Sequence, residues 1–174
     1  MPNLAFLSLG SNIRPEENLS KAVEMLAHTS KLVAVSTVWE TLPLGLTDQP
    51  NFLNAATLVE TDHTANAFKR EVIRRIEDEL GRVRKGDKFG PRPIDIDIML
   101  FNDQIFELDN HHIPDPELLE RPFVAIPLAE LAPDYQHPET GQTLHDIARG
   151  FEVAEEEMRL RPGVSQALAQ LVTN

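Results

Sequence analysis

Cysteine is absent from the 174-residue chain, which excludes a disulfide framework, a thiolate zinc site and a thiol nucleophile. Any metal must therefore sit on oxygen or imidazole ligands. Long apolar runs are missing too, and Met1-Pro2-Asn3-Leu4-Ala5 lacks the basic-then-apolar pattern of a leader. Neither a membrane span nor a signal peptide is expected, and a cytoplasmic location is. Positive charge is scarce: 16 Lys plus Arg stand against 28 Asp plus Glu, a formal net charge of −12. Nucleic-acid and membrane-surface modules need the opposite, a basic face, so neither kind of partner is expected. One Trp and one Tyr also leave little surface on which an RNA-binding sheet could stack bases. Neither a Walker-type P-loop nor a Gly-rich dinucleotide turn is present, so a nucleotide would have to be held by other means.

With 41% hydrophobic and 25% charged residues, the composition is that of an ordinary globular protein. The length fits one domain over residues 1–174. Residues 4–9 predict a buried strand ended by the turn Gly10-Ser11-Asn12. A helix then opens at Pro15, with Leu19, Ala22, Val23 and Leu26 as its apolar stripe. Strands are expected over 32–39 and 52–60, joined by a Pro-punctuated loop. Thr64 is placed to cap a second helix, in which Phe68, Val72, Ile73, Ile76 and Leu80 recur at helical spacing before Gly81 stops it. A strand over 94–101, a short return strand over 104–106, helical turns near 116–119 and 124–131 and a final helix complete the pattern. Such an alternation predicts an α+β fold, a mostly antiparallel, ferredoxin-like sheet with helices packed on its faces.

The scarce cations are not spread evenly. Nine of the 16 lie between Lys69 and Arg92, and five of these, Arg82, Arg84, Lys85, Lys88 and Arg92, belong to a loop punctuated by Gly86, Gly90, Pro91 and Pro93. That loop runs directly into Ile94-Asp95-Ile96-Asp97-Ile98. Strand alternation puts Asp95 and Asp97 on one face and the three isoleucines on the other. Two carboxylates about 6.6 Å apart along a strand repel by roughly 2.5 kcal/mol at an effective dielectric near 20, so a positive partner is required. The adjacent arginines and lysines are one candidate. Divalent cations are the other, since Mg²⁺ is commonly held by one or two carboxylates plus substrate phosphates.

These stretches resemble one family, the 6-hydroxymethyl-7,8-dihydropterin pyrophosphokinases of folate biosynthesis. The similar segments are residues 7–12, the loop 41–54 with Pro43-Leu44-Gly45 and Asp48-Gln49-Pro50, residues 80–84, the block 89–100 and Glu120-Arg121-Pro122-Phe123. The resemblance implies transfer of pyrophosphate from ATP to the hydroxymethyl group of the pterin, releasing AMP. It implies two Mg²⁺ ions on Asp95 and Asp97, and catalytic roles for those aspartates with Arg82 and Arg92. It further implies a pterin site of Thr41, Pro43, Leu44, Phe52, Asn54 and Phe123, with the ring between the two phenylalanines. A nucleotide site of Arg82, Arg84, Arg92, Ile98, Arg121 and Glu77 follows in the same way, as do loops near 43–51 and 81–93 that move over the substrates. A monomer acting on small molecules alone is expected.

Three positions depart from the family pattern, the mildest being Phe89 where some members have tryptophan. Pro114-Asp115-Pro116 has an acid where a histidine is usual, and Arg74 stands where glutamine is usual. An acid near the triphosphate opposes nucleotide binding, so a catalytically weak relative that binds pterin or nucleotide is the alternative expectation. Arg74 would restore the missing charge if it reached the site.

Overall fold

The protein is described by a computed structural model that covers residues 1–45, 48–83 and 90–172. Its centre is a six-stranded sheet in which every pairing is antiparallel. The strands are β1 (Asn3–Ser11), β2 (Lys31–Val35), β3 (Trp39–Thr41), β4 (Phe52–Thr61), β5 (Asp95–Phe101) and, far along the chain, a further one at Met158–Leu160. The order is β5-β1-β4-β3 with the Met158–Leu160 strand outside β3, while β2 runs beside the other half of β4. Helix α1 (Pro15–Thr29) connects β1 to β2, and a second helical stretch, Ala65–Glu79, connects β4 to β5. That connectivity and order are those of a ferredoxin-like α+β fold.

Sequence dictates the two faces of the sheet through period-two alternation. Ala5, Leu7 and Leu9 of β1, Leu53, Ala55 and Val59 of β4 and Ile96 and Ile98 of β5 point to one core. There they meet Leu19, Ala22, Val23 and Leu26 of α1 and Phe68, Val72, Ile73 and Ile76 of the second stretch. Phe6, Ala56, Leu58 and Met99 point the other way, against Val124, Ala125 and Leu128. These last three belong to the helix Pro122–Leu131. The sheet is thus covered on both faces, except where polar residues take over.

Local signals explain most element boundaries. Pro15 occupies the first turn of α1, and Asn18 reaches back to donate to the Ile13 carbonyl at 2.6 Å. Thr64 caps the second stretch through Ala67 N–H, as expected from its position. That stretch is not uniform: α2 (Ala65–Ala67) passes through a π-helical segment, Phe68–Ile73, before α3 (Arg74–Glu79).

Three expectations need correction. The strand foreseen over 32–39 is broken into β2 and β3, because Ser36 substitutes its own hydroxyl for a ladder group. Its Oγ accepts from Ala56 N–H at 2.8 Å while its N–H donates to the Ala56 carbonyl at 2.9 Å. The return strand foreseen at 104–106 is β6 (Phe106–Leu108), which pairs only with β7 (His111–Ile113). Asp109 and Asn110 form the two-residue turn between them at φ 50° and 66°, the geometry that a tight hairpin demands. Finally, the C-terminal region supplies α6 (Leu144–Arg149), then β8 (Met158–Leu160) and α7 (Pro162–Ala169), where only a helix was expected. Between β7 and α6 lie α4 (Glu117–Glu120) and α5 (Pro122–Leu131).

Candidate active site

A cavity of about 1050 Å³ opens where β1, β4 and β5 present polar residues instead of apolar ones. Register places Asp95 opposite Gly10 and Asp97 opposite Ser8, and Gly10 is in turn opposite Asn54. All of these line the cavity. Its floor is therefore one face of three adjacent strands, made polar by the same alternation that buries Ile94, Ile96 and Ile98 beneath it.

Arginines bind one of the two aspartates. Arg82 Nη1 donates to Asp95 Oδ1 at 2.8 Å, and Arg92 Nη1 donates to Asp95 Oδ2 at 3.2 Å. Arg82 also donates to Glu77, whose Oε2 accepts the Ile96 N–H at 3.1 Å. Burial alone would lower the Arg82 pKa, but Asp95 and Glu77 together hold it above its ordinary value. Arg92 lies 5.9 Å over the Phe52 ring, so one guanidinium touches both the charged and the aromatic part of the cavity.

Asp97 is treated differently. Its side chain has no hydrogen-bond or ion-pair partner among the described residues, and the charges around it are acidic. Burial first, then the charges of Asp95, Asp115, Glu77 and Glu117, push its pKa well above the usual carboxylate range. A carboxylate left in that state, facing a cavity, fits a site for a positive ion.

The other end of the cavity is apolar. Leu42, Leu44, Phe52 and Phe123 line it, with Asn54 and Thr41 at its edge. Asn54 Nδ2 donates to Thr41 Oγ1 at 2.6 Å, which fixes both polar groups. Gly10 leaves room for this pair: a Cβ on it would lie 3.0 Å from Asn54 Oδ1. Arg121, at the start of α5, also lines the cavity, and its buried Nε has no hydrogen-bond partner among the described residues. An apolar slot with a polar rim, beside two carboxylates and three guanidiniums, suits a flat heterocycle next to a polyanion.

The structure brings together Asp95, Asp97, Arg82, Arg92, Arg121, Thr41, Leu44, Phe52, Asn54 and Phe123 around this cavity. Pro43 is half-buried between Leu42 and Leu44, without lining it. Two expected ligands are placed elsewhere. The Glu77 side chain is buried beneath Arg82 and supports it from below, because the helix stripe that carries Ile76 also turns position 77 inward. The Ile98 side chain faces the opposite core by strand alternation, which leaves only its backbone near the cavity side. Arg84 lies outside the described residues. Arg74 is exposed on α3 and does not line the cavity, so it does not supply a missing charge there.

Asp115 has a structural partner. Its Oδ1 accepts the Glu117 N–H at 2.9 Å, and its own N–H donates to the Met99 carbonyl at 2.9 Å. It thereby joins α4 to β5, and burial raises its pKa. Sequence reasoning assigned no role to Asn12, which is buried and joins the loops on either side of the cavity. Its sequence signals are its place in the turn after Gly10-Ser11 and in the segment 7–12 that resembles the family. His112 was also given no role; its two ring nitrogens engage Glu107 at 2.8 Å and Glu139 at 3.0 Å at the cavity rim.

Comparison with known proteins bears on this arrangement. The family model described as 7,8-dihydro-6-hydroxymethylpterin-pyrophosphokinase matches residues 6–133. The chain belongs to this family. It is 41% identical over 135 residues to a 2-amino-4-hydroxy-6-hydroxymethyldihydropteridine pyrophosphokinase of Bacillus subtilis, covering 75% of this chain and 79% of that protein. It is 40% identical over 146 residues to the folic acid synthesis protein fol1 of Schizosaccharomyces pombe, covering 82% of this chain but only 20% of that one. Among solved structures, the HPPK-DHPS triple mutant of Plasmodium falciparum with pteroate is similar in fold, with a TM-score of 0.70 at 16% identity. That match covers 92% of this chain and 47% of the solved one. Among the described residues no helix is long and apolar enough to cross a membrane.

Proposed function

We propose that the protein transfers the pyrophosphoryl group of ATP to the hydroxymethyl oxygen of 6-hydroxymethyl-7,8-dihydropterin, giving AMP and the pterin diphosphate, in folate biosynthesis. Family membership supports this, and so do the relatives' names. The observation that carries it is the cavity itself, in which an unpartnered Asp97, an arginine-bound Asp95 and an aromatic slot lie within one enclosure.

The chain's residues divide the work. Phe52 and Phe123 give the pterin ring two apolar faces, while Asn54 and Thr41 meet its polar edge. Arg82, Arg92 and Arg121 donate to the triphosphate oxygens, and their fixed donors count most where charge accumulates during transfer. On phosphate binding, Arg82 and Arg92 exchange Asp95 for phosphate oxygens, which frees that carboxylate. Asp95 and Asp97 would then hold Mg²⁺, two ions in the proposal; the fit rests on the acidic surroundings and missing partner of Asp97. Bound there, Mg²⁺ would neutralise the polyphosphate and polarise its phosphorus-bound oxygens. Positioning and charge neutralisation carry the acceleration, with no dedicated base required.

The proposal takes residues 1–174 as one pyrophosphokinase domain, monomeric and cytoplasmic, with small-molecule substrates and no nucleic-acid or membrane partner. Loops near 43–51 and 81–93 that move over the substrates belong to it as well; residues 46–47 and 84–89 of these lie outside the described residues. The test is direct: incubation with ATP, Mg²⁺ and the reduced pterin should yield AMP and the pterin diphosphate in equal amounts. Folded protein that binds both substrates and forms no AMP would instead establish the weak relative, for which the acid at position 115, close enough to raise the Asp97 pKa, is the specific ground.

A further inference from the structure

The C-terminal segment beyond the family-model match adds an edge to the sheet at the pterin end of the cavity. Strand β8 pairs with β3, setting Met158 opposite Thr41, Glu40 opposite Arg159 and Trp39 opposite Leu160. The next residue, Arg161, is a junction. Its N–H donates to the Val38 carbonyl at 2.8 Å, and Ser165 Oγ both accepts the Val38 N–H at 2.7 Å and donates to the Arg161 carbonyl at 2.7 Å. The guanidinium spans two carboxylates: Nη1 donates to Glu40 Oε1 at 2.8 Å and Nη2 to Glu16 Oε1 at 2.5 Å. Glu40 then passes the connection onward, since its Oε2 accepts from Asn51 Nδ2 at 3.1 Å.

These contacts converge on one place. Glu40 and Thr41 are adjacent on β3, Asn51 precedes Phe52, and β3 pairs Thr41 with Phe52. Arg161 therefore fixes both ends of the loop that leaves β3 after Thr41 and returns at Asn51. Asn51 and then Arg161 are the main influences that hold the half-buried Glu40 carboxylate below its ordinary pKa, so it is charged and held at neutral pH. α7 anchors the junction, with Leu168 fully buried in the core against α1 and β2. The phosphate end of the cavity is on β5, at the other side of the sheet.

We propose that Arg161 is a positioning residue for the pterin, acting through Glu40 on Thr41 and on the Asn51–Phe52 corner. This inference rests on the proposed transfer reaction. The guanidinium is the suitable group because its planar fork holds two carboxylates at once, which an ammonium does only as a point charge.

The test separates pterin from ATP. Arg161→Ala should raise the KM for the pterin about five- to tenfold, the scale of one ordinary net hydrogen bond lost from an assembled site. The KM for ATP and kcat should stay within about twofold, since the arginine and aspartate end is untouched. Arg161→Lys should fall between, and the Glu40→Ala/Arg161→Ala double variant should be no worse than Glu40→Ala alone. Calorimetric titration of a pterin onto protein holding Mg²⁺ and a nonhydrolysable ATP analogue should show the same order. Equal changes in both KM values, or an unchanged pterin KM in a folded, active Arg161→Ala, would overturn the inference. Should Arg161→Ala not fold, the same comparison of the two KM values in Arg161→Lys decides. Wild-type protein that forms no AMP would refute the transfer reaction instead, and the calorimetric order of the variants would still judge Arg161.

Discussion

Asn12 and Arg92 are tied by two reciprocal hydrogen bonds: Arg92 N–H donates to Asn12 Oδ1 at 2.9 Å, and Asn12 N–H donates to the Arg92 carbonyl at 3.1 Å. The remaining donors of Asn12 are used as well, since its Nδ2 gives to Gln49 Oε1 at 2.8 Å and to the Pro50 carbonyl at 3.0 Å. One buried amide thus joins the end of β1 to the loops that enter β4 and β5, and hence the aromatic end of the cavity to its charged end.

Asn12→Ala should accordingly weaken both ends together. Three side-chain hydrogen bonds of a buried amide disappear, a cost of about 1–3 kcal/mol, so the unfolding midpoint should fall. Both KM values should rise, in contrast to the one-sided effect expected at Arg161. Asn12→Asp should be worse, because it keeps the acceptor for Arg92 N–H and faces the Gln49 and Pro50 oxygens with a carboxylate. Steady-state kinetics with each substrate varied in turn checks this, and a change confined to one substrate would contradict the joint role.

Asp97→Asn should separate function from stability. In metal-free protein the folded state raises the Asp97 pKa, so an ionised Asp97 destabilises the fold at every pH above its unfolded value. That burden is relieved as pH falls through the raised folded pKa. The neutral amide should therefore raise the melting temperature at pH 7 in the presence of a chelator. Turnover should drop by about two to three orders of magnitude, the scale of removing one charge-stabilising group from an active site. A variant that melts lower than wild type and still turns over would remove Asp97 from the ion site.

Two histidines should give opposite pH slopes. His137 is buried, its Nδ1 accepts the N–H groups of Glu139 and Thr140, and burial first, with a contribution from His112, lowers its pKa. A depressed histidine contributes stability in the neutral form, complete above its unfolded pKa of about 6.5 and lost as pH falls below that. His112 is raised by its hydrogen bonds to Glu107 and Glu139, so its contribution is present below about 6.5 and fades as pH rises through the folded value. Melting curves from pH 5 to 8 should therefore show His137→Asn losing less stability on acidification than wild type. His112→Gln should lose the gain that wild type makes there. Parallel curves for all three proteins would show that neither ring titrates with folding.

Much of this site was legible because it obeys periodicity. Asp95 and Asp97 share a face by strand alternation, and the helical stripe from Phe68 to Ile76 is read at its correct spacing. What the sequence hid depends on distant pairing. β8 is three residues long and carries Arg159 between two apolar neighbours, so nothing local marks it as a strand until β3 is beside it. Glu77 is expected among the nucleotide ligands, and only the approach of Arg82 and the Ile96 N–H makes it a buried support instead. The break between β2 and β3 likewise needs Ala56 from another strand to accept and donate to Ser36. A short chain segment does not declare which partner will satisfy it.

Gly10 offers a final check on how closely the two ends of the cavity are fitted. It sits between Asp95 and Asn54 on the sheet, where any side chain would point into the cavity. An added Cβ would lie 3.0 Å from Asn54 Oδ1 and 3.8 Å from the Phe52 ring. The first contact is too close and the second is ordinary, so the Asn54 amide must shift, and its 2.6 Å bond to Thr41 leaves it little freedom. No positive φ is involved at Gly10, and the strand accepts alanine without backbone strain. Gly10→Ala should therefore fold with a nearly unchanged melting temperature. Its pterin KM should rise about tenfold, the effect of displacing one polar contact at about 1.4 kcal/mol. Pterin KM equal to wild type would show that Asn54 yields freely and does not read the edge of the ring.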